Sequence, residues 1–184
     1  YICANNINKP VGSTIYTQML NHHGGIECDV TITVIDKNTF YLVTGTGFMT
    51  HDLNWISANI PNGMDVKIKN ITYENSVFSL MGPNSREILQ GLTESDLSND
   101  KFPFATYQKI KLGHLEINAI RITYMGELGW ELHFPISQAK EVYDKLMNYG
   151  KKFGLINAGY RCIESCRLEK GYRAWGSDIG PDHT

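Results

Sequence analysis

Apolar residues occupy every second position from Ile26 to Val34, so that Ile26, Cys28, Val30, Ile32 and Val34 fall on one side of an extended chain. Successive side chains of a strand point to opposite faces, and this spacing predicts a strand with one core-facing side. It follows the run 15–21, Ile-Tyr-Thr-Gln-Met-Leu-Asn. The pattern gives strands over 30–34 and 40–43, joined by the polar turn Asp36-Lys37-Asn38. Residues 48–60 carry apolar side chains at helical spacing, and Pro61-Asn62-Gly63 stops that helix. Strands are expected over 66–71 and 77–81, with Tyr73-Glu74-Asn75-Ser76 turning between them, and Gly82-Pro83 opens a second helix. Two β-β-α (ferredoxin-like) units in succession imply an α+β fold of antiparallel sheets with packed helices.

Further along, the polar stretch 93–103 reads as a loop between subdomains 1–92 and 104–184 of a single domain spanning 1–184. A hairpin is expected over 109–112 and 115–123 around Gly113-His114, followed by a strand over 130–134. A long amphipathic helix over 139–153 presents Val142, Leu146 and Tyr149 as its core stripe and ends at Gly154. A last helix over 159–170 leads into an aromatic stretch, 171–178.

Two acids break this patterning. Asp29 sits mid-strand on the polar face with Glu27 and Thr31, and Glu131 sits between Trp130 and Leu132. Either each is an ordinary solvated carboxylate, or its face lines a cleft where a rigid strand fixes its position. Both lie beside glycine-containing turns and aromatic neighbours, Tyr16, Tyr124 and Trp130. A pocket of that kind suits a flat heterocycle bearing an amidine-like N–H pair. A carboxylate accepts two parallel hydrogen bonds from such a pair, and aromatic rings stack on the heterocycle's faces. The two acids are expected to converge on one sheltered hollow.

Composition narrows the field. With 184 residues, 42% hydrophobic and 20% charged, the chain is ordinary for one enzyme domain, or for two small ones sharing a core. A formal charge of −2 supplies no basic field for nucleic acid or an acidic membrane surface, and no apolar run approaches the roughly 20 residues of a membrane span. The start lacks the basic-then-apolar pattern of a secretory signal and the end is turn-like, so the chain is expected to be an internal piece of a longer protein. Cys3, Cys28, Cys162 and Cys166 do not show the paired spacing of a zinc site, so no metal is expected and the thiols read as reduced.

Five segments carry a resemblance: 15–21; Gly24-Gly25-Ile26-Glu27-Cys28-Asp29; Gly82-Pro83-Asn84-Ser85-Arg86; Tyr124-Met125-Gly126-Glu127-Leu128-Gly129-Trp130-Glu131; and 167–176, opening Arg167-Leu168-Glu169-Lys170-Gly171-Tyr172. Together, and in order over nearly the whole chain, they resemble the folate-binding aminomethyltransferase family, which includes the T-protein of the glycine cleavage system. The last segment is most similar to the C-terminal half of dimethylglycine and sarcosine dehydrogenases.

The resemblance implies a tetrahydrofolate-binding one-carbon transfer domain. It would capture a methylene unit from an oxidised N-methyl amine, dimethylglycine or sarcosine, as 5,10-methylenetetrahydrofolate. Its implied partners are the folate, the amine-derived iminium and an upstream flavin domain of the same protein. FAD would bind only in that domain, since no Gly-x-Gly-x-x-Gly fingerprint occurs here. A bacterial cytoplasm or the mitochondrial matrix would house it. The alternatives are a T-protein-like aminomethyltransferase, a non-catalytic regulatory or docking module of the same fold, and methyl transfer from another donor such as a sulfonium.

By the same resemblance Asp29 matches the acid near the reacting nitrogens, Glu131 the acid that grips the pterin amino group and ring N–H, and Tyr124 a folate contact. Cys28, Val30, Leu132 and His133 would line the same wall, partly through backbone atoms. Two departures stand out: Ile163 occupies the place of an Arg that contacts folate in the T-protein, and Met125 replaces the Thr of the family's Tyr-Thr-Gly-Glu turn. Among the remaining candidates, Glu127, His22 and His23 read as solvated and Arg167 and Glu169 as an ion pair. Tyr172 and Trp175 read as packing aromatics, and Arg86 as either structural or a carboxylate binder.

Overall fold

A computed structural model describes residues 2–183, which form two compact units. The first runs to Asn70 and takes up the chain again from Arg173; the second is Ile71–Tyr172. The boundary therefore falls before residue 71, not across 93–103. That stretch lies inside the second unit, with Leu97 and Phe102 fully buried. Among the described residues no helix is long and apolar enough to cross a membrane.

In the first unit, β1 (Thr14–Leu20), β2 (Ile26–Asp36) and β3 (Thr39–Val43) form an antiparallel sheet in that order. The alternation in β2 has the expected consequence: Cys28, Val30 and Ile32 are buried with Met19 of β1, and Leu42, Trp55 and Ile56 pack against them. The last two belong to helix α1 (Met49–Ala58). β3 pairs with β2 only from Thr31 onward, so residues 26–30 of β2 run past its end. There they meet α1 and the returning segment 173–183.

The second unit is a four-stranded antiparallel sheet in the order β4-β7-β6-β5, built from β4 (Asn75–Met81), β5 (Tyr107–Leu112), β6 (Leu115–Ile120) and β7 (Gly129–Pro135). With it go helices α2 (Ser85–Gln90), α3 (Ala139–Gly150) and α4 (Tyr160–Glu169). Trp130, Leu132 and Phe134 of β7 enter one core with Leu80, Ile117, Val142 and Leu146. Past α3 the chain tightens into a 3-10 turn and leaves it at Gly154, whose φ of +78° suits a residue without Cβ.

One expected element is missing. Residues 64–71 carry no strand, and Val66 and Ile68 are exposed, so β4 takes β7 as its partner. In α4, buried Arg167 pairs with Glu164 one turn earlier and donates to the Tyr172 carbonyl at 2.8 Å.

Candidate functional site

Asp29 stands on the face of β2 opposite the core, directly across the ladder from Gln18. Gln18 Nε2 donates to Asp29 Oδ1 at 2.9 Å, and the Tyr16 side chain adds a further hydrogen bond. Burial pushes the Asp29 carboxyl above the usual range. The two hydrogen bonds pull it back, and the Asp52 charge adds to the rise. The result is a half-buried carboxylate held by two side chains of the neighbouring strand.

Behind it lies a network that sequence patterning did not single out. Asp52, 2% exposed, accepts hydrogen bonds from Thr44 Oγ1, from His51 Nδ1 at 2.8 Å and from the Cys28 thiol. Burial first, then the Asp52 charge, push the Cys28 thiol far above the ordinary thiol range. The ligand-capable atoms of Cys28, His51 and Asp52 lie within 4.8 Å of one another, and two of the donors, Cys28 and His51, meeting on the one carboxylate account for that closeness. His51 Nε2 comes within 3.6 Å of Glu27 Oε2. The Trp175 indole donates to the Ile26 carbonyl at 2.8 Å, and its ring packs 4.6 Å from Phe48 and 5.5 Å from His51. The sequence did carry a trace of this. Asp52 shares the apolar stripe of Met49 and Ile56, three residues before it and four after, where a carboxylate is out of place unless satisfied.

In the second unit Glu131 occupies an interior strand, with Ser79 of β4 on one side and Ile120 of β6 on the other. Its side chain is 22% exposed, and Oε2 lies 3.4 Å from Nε2 of buried His133. Tyr124 lies in the loop leading to β7, with its ring stacked on Tyr172 at 6.2 Å and 20° between planes. Of the other expected wall residues, Cys28 and Val30 send their side chains into the first core and Leu132 into the second. Only their backbone is left for contact with a ligand. Asp29, Cys28 and Val30 belong to the first unit; Tyr124, Glu131, Leu132 and His133 belong to the second. Glu127, His22 and His23 are exposed.

The model of the GCVT N-terminal domain family matches residues 1–184. The chain belongs to that family. Rat mitochondrial dimethylglycine dehydrogenase is 41% identical over 183 residues, which cover 99% of this chain and 21% of that protein. Mouse mitochondrial sarcosine dehydrogenase is 39% identical over 191 residues, covering 96% of this chain and 21% of that protein. The chain thus spans about a fifth of these relatives. The crystal structure of glycine cleavage system aminomethyltransferase T from Bartonella henselae superposes with a TM-score of 0.82 at 24% identity, over 100% of this chain and 48% of that one, a match of fold. The resemblance drawn from the five segments is thereby shown, and so is the α+β fold of antiparallel sheets with packed helices.

Proposed function

We propose that this GCVT domain is the tetrahydrofolate-binding, one-carbon transfer part of a dimethylglycine- or sarcosine-dehydrogenase-like enzyme. The observation that carries the reading is the Asp29 carboxylate, half-buried, clamped by Gln18 and Tyr16, and shifted upward in pKa. A reduced folate, when bound, supplies the nitrogens that take up the carbon. The residues present suit it: Glu131 offers a carboxylate to a pterin N–H pair, and Tyr124 an aromatic face. Asp29 places a negative charge where a cationic iminium arrives. Its raised pKa fits it to hold a proton released by the attacking nitrogen better than an ordinary carboxylate would. Glu131 and Tyr124 orient the ligand. An upstream flavin domain, which alone would carry FAD, would generate the iminium.

The test uses the full-length protein. Asp29→Ala should leave amine oxidation running while methylenetetrahydrofolate formation falls to background and formaldehyde is released instead. Undiminished coupling to folate in that variant refutes the role. Titration of the wild type with a reduced folate, followed by tryptophan fluorescence, separates this reading from a docking module. Absence of quenching at millimolar ligand would favour the module.

A further inference from the structure

Arg86 and Arg121 share a single neutral acceptor. Arg86 Nη2 donates to Asn99 Oδ1 at 2.7 Å, and Arg121 Nη2 donates to the same oxygen at 2.8 Å. Both guanidiniums also sit over the indole of buried Trp130, at 5.8 and 5.7 Å from its centroid. Among the described residues neither arginine is in an ion pair. Two like charges are therefore brought together around one amide oxygen, which cannot neutralise them. Burial, and then Arg86 itself, depress the Arg121 pKa, as mutual repulsion requires. Arg86 Nε is buried with no hydrogen-bond partner.

The surroundings hold this arrangement rather than relieve it. Arg121 Nη1 donates to the Phe102 carbonyl at 2.5 Å. The Arg121 backbone is clasped on both sides, accepting from Ala105 N–H at 2.9 Å and donating to the Thr106 carbonyl at 2.8 Å. Ala105 takes a φ of +59° to do so, a left-handed conformation that costs a residue with a Cβ. Arginine forks match the planar oxygen pair of a carboxylate or the face of a phosphate, and charge-assisted bonds of this kind are the strong ones.

We propose that Arg86, Arg121 and Asn99 form a binding site for an oxyanion, the carboxylate or phosphate group of a small ligand, bridged between the two guanidiniums. The site lies wholly within the second unit and is independent of the folate reading. The anion supplies the counter-charge that the fold withholds, and Asn99 keeps the two forks in register for it.

Inorganic phosphate and acetate are the probes, titrated into the full-length protein at constant ionic strength with chloride as the reference. Saturable stabilisation in thermal melts is expected with one or both and not with chloride. A larger effect of phosphate points to a phosphorylated ligand, and a larger effect of acetate to a carboxylate. Arg86→Gln should weaken the better anion about tenfold, the loss expected for one charge-assisted contact. Arg121 also ties down its own loop, so Arg86→Gln, which leaves those loop bonds in place, is the deciding variant. Anion shifts no larger than those of chloride, or equal affinity in Arg86→Gln, would overturn the proposal.

Discussion

Gln18 and Asp29 face each other across the β1–β2 ladder, and the amide of one donates to the carboxylate of the other at 2.9 Å. That bond favours the ionised form against the burial that disfavours it.

Removing the bond as Gln18→Leu should raise the Asp29 pKa further. If Asp29 acts in its ionised form, the acid limb of the pH profile for methylene capture moves to higher pH while its plateau holds. The stability effect has a definite sign. The folded pKa lies above the unfolded value of about 3.9, so the contribution of Asp29 to stability is full below that value and is lost as pH rises through the folded pKa. Gln18→Leu should therefore cost more at pH 7 than at pH 4 in thermal melts. Equal losses at the two pH values would contradict this assignment of the bond.

Asp52 should be structural first. Asp52→Asn replaces a carboxylate that accepts from Thr44, His51 and Cys28 with an amide that also carries donors, at a cost of about 1–3 kcal/mol in denaturant unfolding. Loss of the negative charge should also let the Cys28 thiol ionise at lower pH. Alkylation by iodoacetamide at fixed pH in the folded protein should then quicken. An unchanged rate would mean that burial alone governs the thiol.

Much of this was legible in the sequence where the signal is local. The β2 alternation was readable because one face meets a core and side-chain period is fixed by the strand itself. Residues 64–71 misled for the converse reason. Val66 and Ile68 alternate with Lys67 and Lys69, yet alternation alone does not make a strand, which forms only in a ladder with a second one; no strand forms over 64–71, and Val66 and Ile68 stay exposed. Asp52 was phased onto an apolar stripe, but the donors that satisfy it come from β2, from Thr44 before the helix, and from His51. Arg86 could be seen as able to bind a carboxylate. Its convergence with Arg121, 35 positions away, on Asn99 belongs to the folded chain.

The turn between β1 and β2 is held by a close approach that only glycine allows. A Cβ on Gly25 would lie 1.9 Å from the Pro181 carbonyl oxygen and 2.8 Å from its carbon, both backbone atoms that cannot swing aside. Gly25 is itself fixed, donating to Asn21 Oδ1 at 2.9 Å and accepting from the Asn21 N–H at 2.9 Å. Gly25→Ala must therefore displace the returning segment, which also carries Trp175 and its 2.8 Å bond to the Ile26 carbonyl. The expected cost is about 1–3 kcal/mol, as for other overpacked sites, with a red shift in tryptophan emission as that indole reaches water. Gly180→Ala is the matched control, because a Cβ there meets nothing within 4 Å, and its effect should stay within about 0.5 kcal/mol. Similar losses for the two substitutions would show that the segment responds to any added methyl and that the contact with Pro181 is not what holds it.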